Sequence, residues 1–327
     1  MKTIAFFNNK GGVGKTSMVF HLSWMLRELG HTVLAIDLDP QSNLTSAFLD
    51  DDELEKLWPE GEHPNTILGA IDPLIQSLGD IREPRTTRIA SDLFLVAGDL
   101  GLYTFEDRLS DAWSKCLNDN AAVAGDGFRV MTAFHRVMKA AAEREQASIV
   151  LIDVGPNIGA MNRAALVAAD FVVIPLGADL FSLQGLRNLG PTLREWRQGW
   201  ETRRGGKVPK GLPVPSGNMQ PVGYVLLNPS VRGNRPVKAY AKWAERIPEV
   251  YAREILGEHL AAGLEGDGNR LAMLKHFKSL MPMAQDARKP MFLLKPADGA
   301  IGGHAIAVQD AFQQFKDLAL RILNATS

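Results

Sequence analysis

The sequence predicts an α/β protein with a doubly wound, mostly parallel sheet and helices on both faces. Three observations predict it. Short apolar runs bounded by turn residues alternate with longer stretches of helical periodicity. The runs are apolar throughout, as strands covered on both faces are. A glycine-rich turn, Gly11-Gly12-Val13-Gly14, separates the first run from the first helical stretch, the place where open α/β sheets bind ligands.

Taken in order, the apolar runs predict strands at residues 3–7, 32–36, 93–96, 149–152, 171–174, 222–227 and 291–294. Between the first two, Met18, Leu22, Met25, Leu26 and Leu29 recur at helical spacing, and Gly30 sits where a C-terminal cap belongs. That is one β-α-β unit. Two stretches read as elaborations of a single domain covering residues 1–327. One is 107–146, where 121–127 reads as a small-residue break before a helix through Phe134, Val137 and Met138. The other is 199–220, whose Gly, Pro and basic residues predict a long exposed loop.

Bulk properties narrow the class. The chain has 327 residues, 46% of them apolar, enough for a sizeable core. Its formal charge of -1 means that any nucleic-acid contact must come from a local patch. One cysteine, Cys116, provides neither a disulfide framework nor a four-thiolate metal site and reads as a half-buried apolar residue. The N-terminus lacks the pattern of a signal peptide, and no apolar stretch approaches the roughly 18 to 20 residues needed to span a bilayer. A cytoplasmic protein is expected, with no membrane partner.

The run Gly11-Gly12-Val13-Gly14-Lys15-Thr16-Ser17 follows a predicted strand and opens a predicted helix, the context of a phosphate-binding P-loop. Glycines allow backbone N–H groups to close around a phosphate, and the helix N-terminus adds partial positive charge. Lys15 supplies a full charge, and the Thr16 hydroxyl is placed to ligate Mg²⁺. Asp37 and Asp39 end the second strand, where alternate residues point the same way, so both carboxylates can face the phosphates if the extended geometry persists through Asp39. The run Ile149-Val-Leu-Ile-Asp153 is an apolar strand ending in an acid, which places Asp153 to hold the cation.

Lys10, just before the glycines, gives the motif the form Lys-Gly-Gly-Val-Gly-Lys-Thr, and here the sequence resembles the deviant Walker A ATPases: ParA, MinD, the nitrogenase iron protein and their relatives. Asp37-Leu-Asp39-Pro40-Gln41 matches that family's switch segment. Asn162-Arg-Ala-Ala-Leu166, Pro175-Leu-Gly-Ala-Asp-Leu-Phe-Ser-Leu-Gln-Gly185 and Met281-Pro-Met-Ala-Gln-Asp-Ala-Arg-Lys-Pro290 follow the ParA order. The resemblance implies ATP and Mg²⁺ as cofactors and a nucleotide-sandwich homodimer in which Lys10 reaches the partner's phosphates. It further implies that Asp39 orients or activates the attacking water, that Asp37 supports the Mg²⁺ and lysine network, and that Asn228 meets the adenine. One departure stands out. Where the family commonly has two prolines flanking one residue after the Walker B acid, this chain reads Val154-Gly155-Pro156-Asn157.

Within the family, a single cysteine excludes the iron protein's shared cluster, and the expected last helix leaves no MinD-like membrane anchor after it. No helix-turn-helix domain is expected ahead of the first strand. The sequence is therefore most similar to short chromosomal-type ParA proteins, for which nonspecific double-stranded DNA and a ParB-like or other adaptor protein are the implied partners, with nucleoid association following from the DNA. Residues 181–300 carry 19 Lys and Arg against 10 Asp and Glu. Arg187, Arg194 and Arg197 fall within roughly an 80° sector of a helix, with Leu189, Leu193, Trp196 and Trp200 opposite. Gly190-Pro191 interrupts that pattern, since proline breaks or starts a helix. Arg194 and Arg232 resemble the DNA-contacting arginines of chromosomal ParA proteins. The expected function is an ATP-dependent switch that partitions or positions DNA or a cargo complex. The alternative is a regulatory or defence switch that recruits a protein effector, with a ligase or synthase on the same fold as a third reading.

Overall fold

The computed structural model describes residues 1–227, 241–258, 267–275, 277 and 279–327. The predicted β-α-β unit is β1 (Lys2–Phe6), α1 (Lys15–Glu28) and β2 (Val33–Asp37). Three short helices follow, α2 (Asn43–Phe48), α3 (Asp51–Leu57) and α4 (Ile67–Ile75), then the strands β3 (Thr87–Ala90) and β4 (Leu93–Val96). Helices α5 (Glu106–Lys115), α6 (Ala121–Met131) and α7 (Ala133–Glu145) lead to β5 (Ile149–Asp153), α8 (Ala160–Val167), β6 (Phe171–Gly177), α9 (Leu180–Arg204) and β7 (Gln220–Leu227). Beyond these lie α10 (Ile247–Tyr251), which continues into a π-helical turn at Ala252–Leu256, β8 (Arg270–Leu274), α11 (Leu280–Ala287) and α12 (Gly303–Ala325).

The eight strands form one sheet in the order β3-β4-β2-β5-β1-β6-β7-β8, and only β3 runs antiparallel to its neighbour. Alternation along the strands feeds two cores. Ile4, Phe6, Val33, Ala35, Ile149 and Leu151 pack with α1 and α12 on one face, while Ala5, Phe7, Leu34, Ile36, Val150 and Ile152 pack with α7, α8 and α9 on the other. This is the doubly wound architecture expected. Register aligns Phe6 and Asp37 with Asp153, so the carboxyl ends of β1, β2 and β5 open onto one edge.

The expected strand at 291–294 is a 3-10 turn at Met291–Leu293 instead, buried on the α1 side, and β8 takes the sheet edge. An apolar run of four residues has no periodicity to separate a strand from a buried turn. Residues 121–127 are not a break: Asn120 caps α6, and the small side chains let it lie close on α5, where a Cβ on Gly127 would stand 2.8 Å from the Cys116 nitrogen. Cys116 is wholly buried, which pushes its thiol up to about 12. Nor is 199–220 all loop. Helix α9 runs through Pro191 to Arg204, held by the buried Leu189, Leu193, Trp196 and Trp200, and only 205–219 is irregular. Among the described residues no helix is long and apolar enough to cross a membrane.

Candidate functional site

The turn after β1 needs its glycines. Gly12 and Gly14 have φ of 72° and 68°, the left-handed region that side chains avoid, and a Cβ on Gly14 would stand 3.0 Å from Leu227 Cδ1. Gly14 starts α1, leaving the helix's first N–H groups aimed into a cavity of about 690 Å³. Gly11 to Ser17, Asp39, Gln41 and Pro156 line it, with Met281 and Gln285 of α11 on the far side. The buried Lys15 Nζ donates to the carbonyls of Asn8 and Lys10 at 3.2 and 3.4 Å, both long contacts. Burial lowers its pKa, and the nearby Asp153 and Asp39 push back.

Three carboxylates stand behind the lysine in different states. Asp153 is fully buried, and neither oxygen has a hydrogen-bond partner. Burial pushes its carboxyl well above the usual range; Asp37 pushes the same way, and Thr16 and Lys15 oppose only in part. Asp39 lines the cavity and accepts the Gln41 N–H at 3.0 Å. Asp37 does not face the cavity. Its Oδ2 accepts the Thr45 N–H and hydroxyl at 2.9 and 2.7 Å, and its Oδ1 accepts the Asp39 N–H at 3.2 Å. The strand ends at Asp37 and the chain turns, so alternation no longer aligns the two carboxylates, and of the two only Asp39 lines the cavity. Burial pushes Asp37 up to about 6.

Lys10 is turned out of its own cavity. Its ammonium lies 2.6 Å from Asp179 and 5.8 Å from the centre of the Phe181 ring. Asp179 also caps α9 by accepting the Ser182 N–H. Burial raises this carboxyl, but Lys10 and Ser182 hold it below the usual range.

With this geometry the chain can be compared with known proteins. The model of the AAA domain family matches residues 1–203. The chain belongs to the ParA/MinD-type ATPases. Protein IncC of Escherichia coli is 30% identical over 203 residues, 61% of this chain and 47% of IncC. The chromosome-partitioning ATPase Soj of Thermus thermophilus is 28% identical over 204 residues, 62% of this chain and 66% of Soj. The chain thus spans about half the length of IncC. The ATP complex of a Cyanothece McdA variant superposes with a TM-score of 0.65 at 18% identity, covering 98% of this chain and 96% of that one, which shows the shared fold.

For a ParA/MinD-type ATPase the donor set fits Mg²⁺. The orphaned oxygens of Asp153 beside Thr16 suit a hard cation, which would relieve the burial that now raises this carboxyl. Among the described residues no three acidic, histidine or cysteine side chains form a ready metal cage.

Sequence reasoning missed the far wall of the site. A second cavity of about 240 Å³ adjoins the first and is lined by Leu227, Leu274, Phe277, Met281, Met291 and Phe315 among others. His21 ties this wall to the P-loop helix. Its Nδ1 meets the Ser17 carbonyl at 2.7 Å, its Nε2 accepts the Met291 N–H at 3.2 Å, and its ring stacks on Phe315. Burial pushes His21 down to about 4, so the ring is neutral with its proton on Nδ1. The one signal in the sequence was a polar residue inside the apolar spacing of α1. Asn228 lies outside the described residues.

The arginine face of α9 exists, but two of its members are already engaged. Arg194 donates to the Glu254 carbonyl, and Arg197 donates to the carbonyls of Asn218 and Met219 at 2.8 and 2.9 Å. Burial and the neighbouring Arg194 lower the pKa of Arg197. Both side chains are half-buried, whereas Arg187 is exposed and no described residue pairs with it. Arg232 lies outside the described residues.

Proposed function

We propose that this chain hydrolyses ATP with Mg²⁺ as the switch of an ATP-dependent homodimer, binds DNA nonspecifically in that state, and releases it on partner-stimulated hydrolysis. The observation that carries the reading is the disposition of the two lysines. Lys15 is buried among carbonyls and carboxylates at the phosphate cavity, while Lys10 points away from it, its charge free to serve a second nucleotide site once it leaves Asp179. The family membership and the partition role in the name of Soj support the same reading.

The chain's own groups divide the chemistry. The P-loop N–H groups and Lys15 bind the phosphates, and Thr16 and Asp153 would hold the cation. Bound Mg²⁺ would supply charge neutralisation at the β- and γ-phosphates. Asp39 orients the attacking water, whose oxygen joins the γ-phosphorus as the bond to the β–γ bridging oxygen breaks, giving ADP and phosphate. Asp37 holds the Asp39 turn from behind through its own contacts to Thr45 and the Asp39 N–H. Sedimentation velocity with ATP and with ADP, followed by duplex titration of each species, tests the cycle. A dimer with ATP alone that binds DNA is expected. Equal association with both nucleotides sinks the sandwich, and an ATP dimer without DNA affinity favours the effector-recruiting switch.

A further inference from the structure

We propose that Glu106 is a positioning residue for hydrolysis: it clamps the N-terminus of α8 and thereby fixes the loop 154–159 that lies against Asp39. The inference rests on the assignment of Asp39 to the attacking water. Glu106 opens α5, the first helix of the elaboration. Its Oε1 accepts the Ala160 N–H at 2.6 Å and its Oε2 the Met161 N–H at 2.9 Å. No side chain on the N-cap itself does this work, because the N-cap is Gly159. A carboxylate over the first N–H groups of a helix satisfies orphan donors and meets the positive end of the dipole.

The fit depends on a missing side chain. A Cβ on Gly159 would stand 2.6 Å from Glu106 Oε1, so a side chain there would oblige the carboxylate to shift from this position. From inside, the buried Asn162 amide donates to the carbonyls of Gly155 and Asn157 at 2.8 and 2.7 Å and to Asn157 Oδ1 at 2.9 Å. The loop is thus held at its base by Glu106 and along its length by Asn162. Its other side meets the reaction site: Pro156 lines the phosphate cavity, and a Cβ on Gly155 would stand 3.3 Å from Asp39 Oδ1. The departure from the family's double-proline pattern therefore falls against the carboxylate that orients water. A displacement of about 1 Å there is enough to cost up to a hundredfold in rate.

Helix α5 is itself anchored. Arg163 of α8 and Arg203 of α9 lie 4.3 and 3.7 Å from the Trp113 ring centre, and Arg203 donates to the Trp113 carbonyl. Glu106 thus ties helix α5, and with it the 107–146 elaboration, to the base of the loop 154–159.

Three single variants, Glu106→Ala, Glu106→Gln and Gly159→Ala, and the Glu106→Ala/Gly159→Ala double variant test this by two readouts. Steady-state ATP turnover with saturating Mg²⁺ should show kcat down about tenfold or more in Glu106→Ala, with KM within about twofold. Amide exchange at Ala160 and Met161 should quicken about tenfold. Gly159→Ala should reproduce both effects, the double variant should be no worse than either single, and Glu106→Gln, which keeps one acceptor oxygen, should fall between. Unchanged exchange in Glu106→Ala overturns the clamp. Faster exchange or lower thermal stability with kcat unchanged, or a rise in KM alone, overturns the positioning role. A wild-type chain that turns over no ATP defeats the proposed function and the positioning role with it, while exchange still decides the clamp.

Discussion

At the carboxyl ends of β1, β2 and β5, charged groups are underpaired. Asp153 has no partner for either oxygen, and Lys15 finds only long contacts to two carbonyls. Along α9 the charges are engaged by the fold: Arg194, Arg197 and Arg203 each donate to backbone carbonyls. An uncompensated buried charge costs several kcal/mol, so it persists where a ligand completes it. A guanidinium closed on carbonyls is a staple, and counting it as surface charge overstates what a partner can reach. Two charged regions are thus built for opposite ends.

The comparison breaks most easily at Lys15. Its replacement by Ala should weaken ATP binding by at least about a hundredfold, roughly 3 kcal/mol, because the phosphates lose a charge-assisted donor in a buried site. Calorimetric titration decides it; near-wild-type affinity would mean the underpaired lysine is not waiting for phosphate. Next in size, Asp39→Ala should bind ATP within a few-fold of wild type while turnover falls about a hundredfold or more, the range expected when the group that positions the attacking water is lost. If affinity falls and turnover per bound ATP does not, Asp39 belongs to the cradle instead.

His21 sharpens the comparison from the far wall, as a buried group whose satisfaction depends on staying neutral. Its pKa is about 4 in the folded chain against an ordinary 6.5. Below pH 6.5 the unfolded chain takes up a proton that the folded chain refuses, so this group's contribution is present above 6.5 and is lost as pH falls toward 4. The loss amounts to about 3 kcal/mol. Asp37, raised to about 6, acts in the opposite direction over the same range. The measurement is therefore the difference in unfolding free energy between wild type and His21→Gln from pH 7 to 4, which should narrow as pH falls. A constant difference would show that His21 titrates normally.

The motifs around the cavity were legible because their residue types have few other uses in that order: glycines at positive φ, a lysine and a hydroxyl at a helix start, and acids closing apolar strands. Six of the seven predicted strands stand within a few residues of their expected ends. The run at 291–294 failed because four apolar residues fill a buried turn as well as a strand. Asp37 was misread because strand alternation stops where the strand does. The apolar wall of Leu227, Phe277, Met281 and Met291 was hidden because its members come from separate segments with no shared pattern. Glu106 was invisible for a similar reason, since its partners Ala160 and Met161 offer only their backbone N–H groups.

The smallest effect tests the other half of the comparison, the arginine face. Arg187 is exposed and no described residue pairs with it, so its charge remains available to a duplex. Arg187→Ala in a DNA-bound dimer removes two phosphate contacts, and at about 0.9 per contact the slope of log affinity against log salt should flatten by roughly 1.8. Every duplex sequence should weaken alike, since phosphates carry no base information, and folding stability should stay the same. Arg194→Ala should behave differently. It leaves the Glu254 carbonyl without its guanidinium donor, so stability should fall by about 1 to 2 kcal/mol, with a smaller change in salt slope. Salt titrations of both variants beside their denaturation curves separate the two cases. If Arg194→Ala flattens the slope by the full 1.8 at unchanged stability, its carbonyl contact yields to DNA at no cost, and the division between spent and available charge on α9 is wrong. If neither variant alters the slope, the basic face of α9 is not a DNA-binding surface.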